Sequence, residues 1–427
     1  MSGNTLDVPL DRTIVYGLFI RNIPFSTSLW SVIIFQSIFI TSLILMCFKY
    51  LVKSFQSYFY TFITVFFLSF FTGASYYVSQ LMPDIFTASA LIGLGLFLAI
   101  PNLSLKLRIY LALMIIFSIL AHTSNLMTLS CVIILFLIIV MISRLRKKIL
   151  LRTSLMIAGI IIVFSSWYIL PAINKSLGFG FITARCKNIF LMGRMIESGV
   201  LSVYLHDECG NKPIKLCEYK DKLPKTSGDY LWNNDIPLYD KDCMEKGFQN
   251  CWVEKNKEYE PVINDIVTTP KYLILFIQSC FKESIRQLQT FDVGALQSMM
   301  KGSPVYYPIE LYYKKELKSY CSAKQAKSAL YFTKTDNIQN IVLILSLLIL
   351  LSCLIIKRLR KAINKSFTIF CIISISGIII NAFTCATFAM VGNRFEGRVI
   401  WILPLLVIMI ITSIKDKITI TPKGNNS

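Results

Sequence analysis

The chain has 427 residues, of which 55% are hydrophobic and 16% charged, with a formal net charge of +20 and a mean hydropathy of +0.60. A soluble domain carries about 25% charged residues, so these values exclude an ordinary soluble enzyme, a disordered chain and a small disulfide scaffold. The basic excess would suit nucleic acid in a soluble protein. In a chain whose apolar residues fall in long runs, it belongs instead at the ends of membrane helices, and no nucleic-acid partner is expected.

In chain order, residues 1–26 form a partly apolar segment with Pro9 and Pro24, read as extracytoplasmic with a short interfacial helix. Six apolar runs follow within 27–170, at 27–48, 57–79, 85–100, 107–121, 126–142 and 149–170. A spanning helix needs about 20 apolar residues. Runs 85–100 and 107–121 are shorter, and read as a shallow or re-entrant pair protected by its neighbours. Three more runs, 339–356, 367–390 and 399–414, fill a second membrane region at 339–414, and a tail occupies 415–427. The expected fold class is therefore an all-α polytopic membrane protein with about nine transmembrane helices. One mainly helical extracytoplasmic domain, 171–338, is inserted between the sixth and the seventh.

Charge sets the orientation. The loops SRLRKKILLR (143–152) and KRLRKAINK (357–365), with Lys49, Lys53, Lys106, Arg108 and the tail, hold 17 basic residues against one acid, Asp416. The short loops and terminal segment of opposite parity hold only Arg12, Arg21, Arg394 and Arg398, against four acids. The positive-inside rule then places the C-terminus in the cytoplasm and 171–338 outside. Nine spans and a cytoplasmic C-terminus put the N-terminus outside too. Residues 1–26 lack the basic and apolar regions of a signal peptide, which leaves three readings: the short tail crosses unaided, one span is miscounted, or, the favoured expectation, a further helix precedes Met1.

Segment 171–338 has a different composition, with 23 basic and 19 acidic residues. About 168 residues suffice for a domain with its own core. Segment 185–206 has helical spacing, with Ile189, Met192, Met195, Ile196 and Val200 on one face; 270–299 is a second helical candidate, and both stripes read as core packing. Seven cysteines fall here, and external cysteines favour disulfides. Cys209–Cys217 and Cys243–Cys251 are the natural local pairs, although connectivity does not follow from sequence alone. With no CxxC and His206 as the only histidine of the segment, zinc is not expected.

The same orientation brings unusual polar residues to one membrane face. Asp84 heads the run 85–100 in MPDIFT, where Pro83 and Asp84 also form a helix-start signal. His122 and Asn125 lie between two runs in AHTSN. Arg394, Glu396 and Arg398 stand in GNRFEGRVIW at the head of the last run, where they could equally be a solvated loop with snorkelling side chains. One acid, one histidine and two guanidiniums are the parts of a site for a phosphate-linked substrate. The planar arginine fork suits phosphate, a carboxylate can act as general base, and a divalent cation held by carboxylates could neutralise a leaving phosphate. There is no P-loop, no GxGxxG after a strand, no HExxH and no GxSxG.

The layout resembles the GT-C-type glycosyltransferases, polytopic enzymes that use polyprenyl-phosphate-linked sugars at the external face. DVPLDRTIVYGLFI before an apolar span is similar to the end of that family's first external loop. On that resemblance Asp7 or Asp11 lies where the family keeps its catalytic acid, and MPDIFT supplies a second acidic motif with Asp84. Stretches such as YLHDECG, LCEYKDKLP and RFEGRVIWILPL resemble an uncharacterised group of bacterial integral membrane proteins. The resemblance implies a bacterial inner (plasma) membrane protein, with Asp84 and Asp7 or Asp11 as base or metal ligand. Arg394 and Arg398 would hold the donor phosphate, with Glu396 and Asn125 beside them, and His122 would orient it or shuttle a proton. The competing readings are a non-enzymatic scaffold whose external domain binds a partner and, less favoured, a transporter. A transporter would be expected to show internal repeats and acids near the midplane, which this sequence lacks.

Overall fold

A computed structural model describes residues 10, 12–23, 28–145, 153–233, 237–294, 301 and 306–420. Among these residues there are helices and turns but no strand, only an isolated bridge between Cys209 and Lys212. The first membrane region holds α1 (Ile14–Asn22), α2 (Trp30–Met46), α3 (Ser57–Phe71), α4 (Ala74–Ser79), α5 (Ile85–Ala99), α6 (Leu105–Ala121), α7 (Thr123–Leu145) and α8 (Thr153–Ser176). The inserted segment holds α9 (Lys187–Glu197), α10 (Val200–Glu208), α11 (Ser227–Trp232), α12 (Lys241–Met244), α13 (Phe248–Thr268), α14 (Pro270–Leu288), α15 (Tyr306–Tyr312) and α16 (Lys314–Ser322). The second membrane region is α17 (Thr333–Ile355), α18 (Lys357–Ala362), α19 (Lys365–Phe388), α20 (Asn393–Ile400) and α21 (Ile402–Ile420).

Six described helical stretches are long and apolar enough to cross a membrane: Trp30–Val52, Thr123–Ile142, Thr153–Ser176, Thr333–Ile355, Lys365–Phe388 and Asn393–Asp416. Each of the nine expected runs holds helix among its described residues, but three fall short of that length. Run 57–79 is broken where Thr72 turns extended, with φ −142° and ψ 172°. The bend is clamped from the far side of the sequence, because the Gly73 N–H donates to Gln339 Oε1 at 2.7 Å. The other two are the short pair α5 and α6.

The α5–α6 pair positions the polar residues. All fifteen residues of α5 are buried, which follows from a sequence apolar on every side. Small residues let its neighbours close in: a Cβ on Gly95 would come within 2.7 Å of the Phe370 ring, and one on Gly377 of α19 within 2.5 Å of Leu91. Between helices in lipid, such close packing replaces the missing hydrophobic drive. The Arg108 guanidinium donates to the carbonyls of Ile100 and Pro101 at 3.1 and 2.7 Å, which caps the C-terminal end of α5. The hairpin therefore starts at Asp84 and ends at His122, and both residues return to the same end of the bundle.

A second core lies beyond that end. Ile189, Met192, Met195, Ile196 and Val200, the predicted stripe, are buried with Tyr204, Trp252, Tyr259, Ile266 and Phe276. Both expected disulfides are formed, Cys209–Cys217 and Cys243–Cys251. The second core is joined to the bundle mainly by α14, which packs along α19. Gln287 clamps the junction, since its side chain donates to the Gly392 carbonyl at 3.0 Å and accepts from the Gly392 N–H at 2.8 Å.

Candidate functional site

The site is built around Arg398. Helix α20 is kept close to α19 because the Asn381 amide donates to the Phe395 carbonyl at 2.6 Å and to Glu396 Oε2 at 3.1 Å. That contact turns Arg398 inward, and its side chain is fully buried. One guanidinium nitrogen meets Asp84 Oδ1 at 3.2 Å and lies 3.4 Å from His122 Nε2. The other donates to Asn381 Oδ1 at 2.9 Å and to Ser124 Oγ at 3.1 Å, and lies 3.4 Å from the Cys385 sulfur. Two helix N-termini meet here, those of α5 and α7, marked by Asp84 and Ser124, and each end favours negative charge.

Asp84 stands at the start of α5 but makes no capping hydrogen bond. Its side chain is 3% exposed, and its carboxylate is committed to Arg398. The capping role that Pro83–Asp84 suggested is thus replaced by an ion pair. His122 Nδ1 accepts from the Ser124 N–H at 3.2 Å and lies 2.8 Å from the Ser124 hydroxyl, while Nε2 lies 3.4 Å from the Arg398 guanidinium. Arg394 is half-buried on the same face of α20 as Arg398, its guanidinium 4.7 Å from the Phe395 ring centre. It makes no hydrogen bond to an acceptor among the described residues, while Asp84, Arg12 and Arg398 lie within electrostatic reach. From Asn393 the stretch is helical and Phe395, Glu396 and Arg398 are buried, so the solvated-loop reading is set aside for Glu396 and Arg398, while Arg394 stays partly exposed.

The structure gathers four of the sequence-predicted residues, Asp84, His122, Arg394 and Arg398. Glu396 joins them indirectly through Asn381. Asn125 sits in the next layer, where it accepts from Thr87 at 2.7 Å and donates to the Ser118 carbonyl at 2.8 Å, tying α7 to α5 and α6. Asp7 and Asp11 lie outside the described residues. Sequence reasoning missed Asn381, Ser124 and Cys385, and counted Arg12 only as a charge. A buried amide within an apolar span was the available signal for Asn381, because polar groups at membrane depth are retained at a cost.

Several polar atoms in this cluster have no hydrogen-bond partner although they are buried: Asp84 Oδ2, Glu396 Oε1, Arg398 Nε and the Tyr77 hydroxyl. Buried polar groups are nearly always satisfied, so such a concentration marks a place where a bound group is accommodated or strain is held. Arg12, Thr13, Thr123, Asn174, Thr183 and Arg185 line a separate small pocket with room for about one water. No divalent-cation site forms among the described residues, which do not include Asp7 and Asp11. Among the described residues no three histidine, cysteine or acidic side chains gather to hold a metal, and the neighbours of Asp84 are guanidinium donors that repel a cation.

No family model, no curated protein and no solved structure matches this chain. Its apolar helices make it an integral membrane protein in composition and architecture, and its chemistry has to be argued from the site alone.

Proposed function

We propose that this protein is a multi-pass bacterial inner-membrane enzyme that transfers a sugar from a polyprenyl-phosphate-linked donor at the external face. The observation that carries the reading is Arg394, a half-buried guanidinium with no hydrogen-bond acceptor among the described residues, set beside the buried Asp84–Arg398 pair. A planar fork in a low-dielectric setting is matched by a phosphate, which accepts two parallel hydrogen bonds. The charge bias of the loops supports the external placement.

In the proposed reaction the donor phosphate sits against Arg394, with Arg12 and the helix N-termini adding positive potential. Arg398 holds the Asp84 carboxylate in place, and Ser124 and Asn381 hold Arg398. An acceptor hydroxyl gives its proton to Asp84 Oδ2 as its oxygen bonds to the anomeric carbon. The bond from that carbon to the phosphate oxygen breaks, and its electron pair leaves on the polyprenyl phosphate, where Arg394 balances the charge.

A second reading has its own support. Arg398 already has oxygen acceptors on three other elements, in Asp84, Ser124 and Asn381, which is what a structural cross-brace in a membrane scaffold requires. Lipid extracts compared by mass spectrometry discriminate the two. Cells lacking the gene are complemented at matched expression with the native chain, Asp84→Asn or Arg394→Gln. The transferase reading expects one polyprenyl-linked sugar to accumulate without the native chain and with either variant. An unchanged lipid profile with the protein present in the membrane overturns it and leaves the scaffold.

A further inference from the structure

Helix α14 carries two chemically different exposed faces. Its buried face consists of Tyr272, Phe276, Cys280, Ser284 and Gln287, turned to the second core and the bundle. Beside it, three or four residues apart, run Ile274, Ile277, Phe281 and Ile285, which are 55%, 44%, 61% and 62% exposed. Lys271, which pairs with Asp207, and Lys282 follow on the next face, and Arg286 lies further round, all exposed. The core reading of the sequence thus holds for one side of this helix only, because an apolar stripe is left on its surface.

We infer that this stripe is seated in the acyl region of the bilayer leaflet on the side of the second core, so that α14 anchors the inserted domain to the membrane. Three observations favour lipid as the occupant. First, α14 packs along α19, and the Phe281 ring lies 5.9 Å from that of Phe383. Second, Phe383 continues a partly exposed stripe on α19 with Ile372, Ile375 and Ile379, on a helix apolar enough to span. The exposed apolar surface of α14 is therefore continuous with a surface that faces lipid. Third, the adjoining face carries Lys282 and Arg286, and long basic side chains beside an apolar stripe are the pattern of a helix lying at the headgroup boundary. Such seating fixes the height of Gln287, whose two hydrogen bonds hold the Gly392 turn at the head of α20. The inference does not depend on the chemistry assigned to the cluster.

The test uses the full chain in nanodiscs of phosphatidylethanolamine and phosphatidylglycerol. The photo-crosslinker p-benzoylphenylalanine is placed singly at the positions of Phe281, Ile285 and Arg286, all of them exposed, with an unfolding midpoint like that of the native chain as the condition for comparison. Lipid adducts, read by mass spectrometry, are expected at the first two positions at about ten times the yield at the third, as immersion of one face requires. Crosslinks to a second copy at Phe281, or equal adduct yields at all three positions, overturn the inference. So does the absence of adducts at Phe281 and Ile285 while a control position on the exposed face of α17, such as Leu348, gives them.

Discussion

Two ion pairs in this molecule use the same chemistry in opposite surroundings. Arg398 and Asp84 meet with side chains 0% and 3% exposed, inside a helix bundle. Lys212 and Asp265 meet on the second core with side chains 44% and 31% exposed. Water can replace either partner of the second pair, and salt screens it. It cannot do so for the first, where both charges have already lost their hydration and depend on each other and on Asn381 and Ser124. The contrast extends to what holds each region. The second core is closed by apolar burial and two local disulfides, whereas the bundle relies on close packing and on a polar network.

The largest effect expected from this contrast is at the buried pair. Arg398→Met leaves the Asp84 carboxylate buried and alone, a loss of about 3–5 kcal/mol. Adding Asp84→Asn restores part of it, because the orphaned charge is removed and the two losses are not additive. Thermal unfolding in nanodiscs measures both, and a double variant as unstable as the sum of the two singles would break the comparison. Next comes the covalent closure of the second core. Replacing Cys209 and Cys217 by serine opens a link between residues 8 apart in sequence, at a cost of about 2–3 kcal/mol by loop entropy. Hydrogen exchange should quicken in α10 and the following loop and stay unchanged in α5. Quickened exchange in α5 would show that the two regions are one cooperative unit.

A smaller effect tests the packing around the site. A Cβ on Gly397 would stand 2.1 Å from the Tyr77 hydroxyl and 3.1 Å from the Phe291 carbonyl. Gly397→Ala should therefore cost about 1–3 kcal/mol, with part of it recovered by Tyr77→Phe; no recovery would mean that the Phe291 backbone is the obstacle. The smallest effect is a pH response at the exposed pair. Hydrogen bonds from Lys212 and Tyr204 hold the Asp265 carboxyl below its ordinary range. A depressed folded value adds stability that is complete above the unfolded value of about 3.9 and is lost as the pH falls below it. Exchange at the end of α10 should rise as the pH drops through that window, after correction for intrinsic rates, and Asp265→Asn should remove the response.

Much of this architecture was legible because spacing and charge carry it. The runs of apolar residues fix the helices, and the basic loops fix which polar residues share an end, so Asp84, His122 and Arg398 could be grouped before any contact was known. The local cysteine pairs were readable for a similar reason, since short loops close easily. What escaped had no charge or period to reveal it. Asn381 is a neutral amide in an apolar span, yet it orients both Arg398 and Glu396. The break at Thr72–Gly73 depends on Gln339, which is 266 residues away. The two-faced surface of α14 follows from where α19 lies, which the spacing of 270–299 does not specify.

The central claim is that the cluster around Arg394 and Arg398 receives a phosphate-bearing lipid and is more than a brace. It is tested most directly by ligand-induced stabilisation of the purified chain in nanodiscs, with farnesyl phosphate as the probe and farnesol as its uncharged counterpart. A ligand that binds only the folded state at 100 times its Kd adds about 2.7 kcal/mol of stability. Farnesyl phosphate should raise the unfolding midpoint of the native chain, farnesol should not, and Arg394→Gln should abolish the rise while folding like the native chain. No rise with farnesyl phosphate, or an equal rise with farnesol, would contradict the claim and leave the buried network as a structural support.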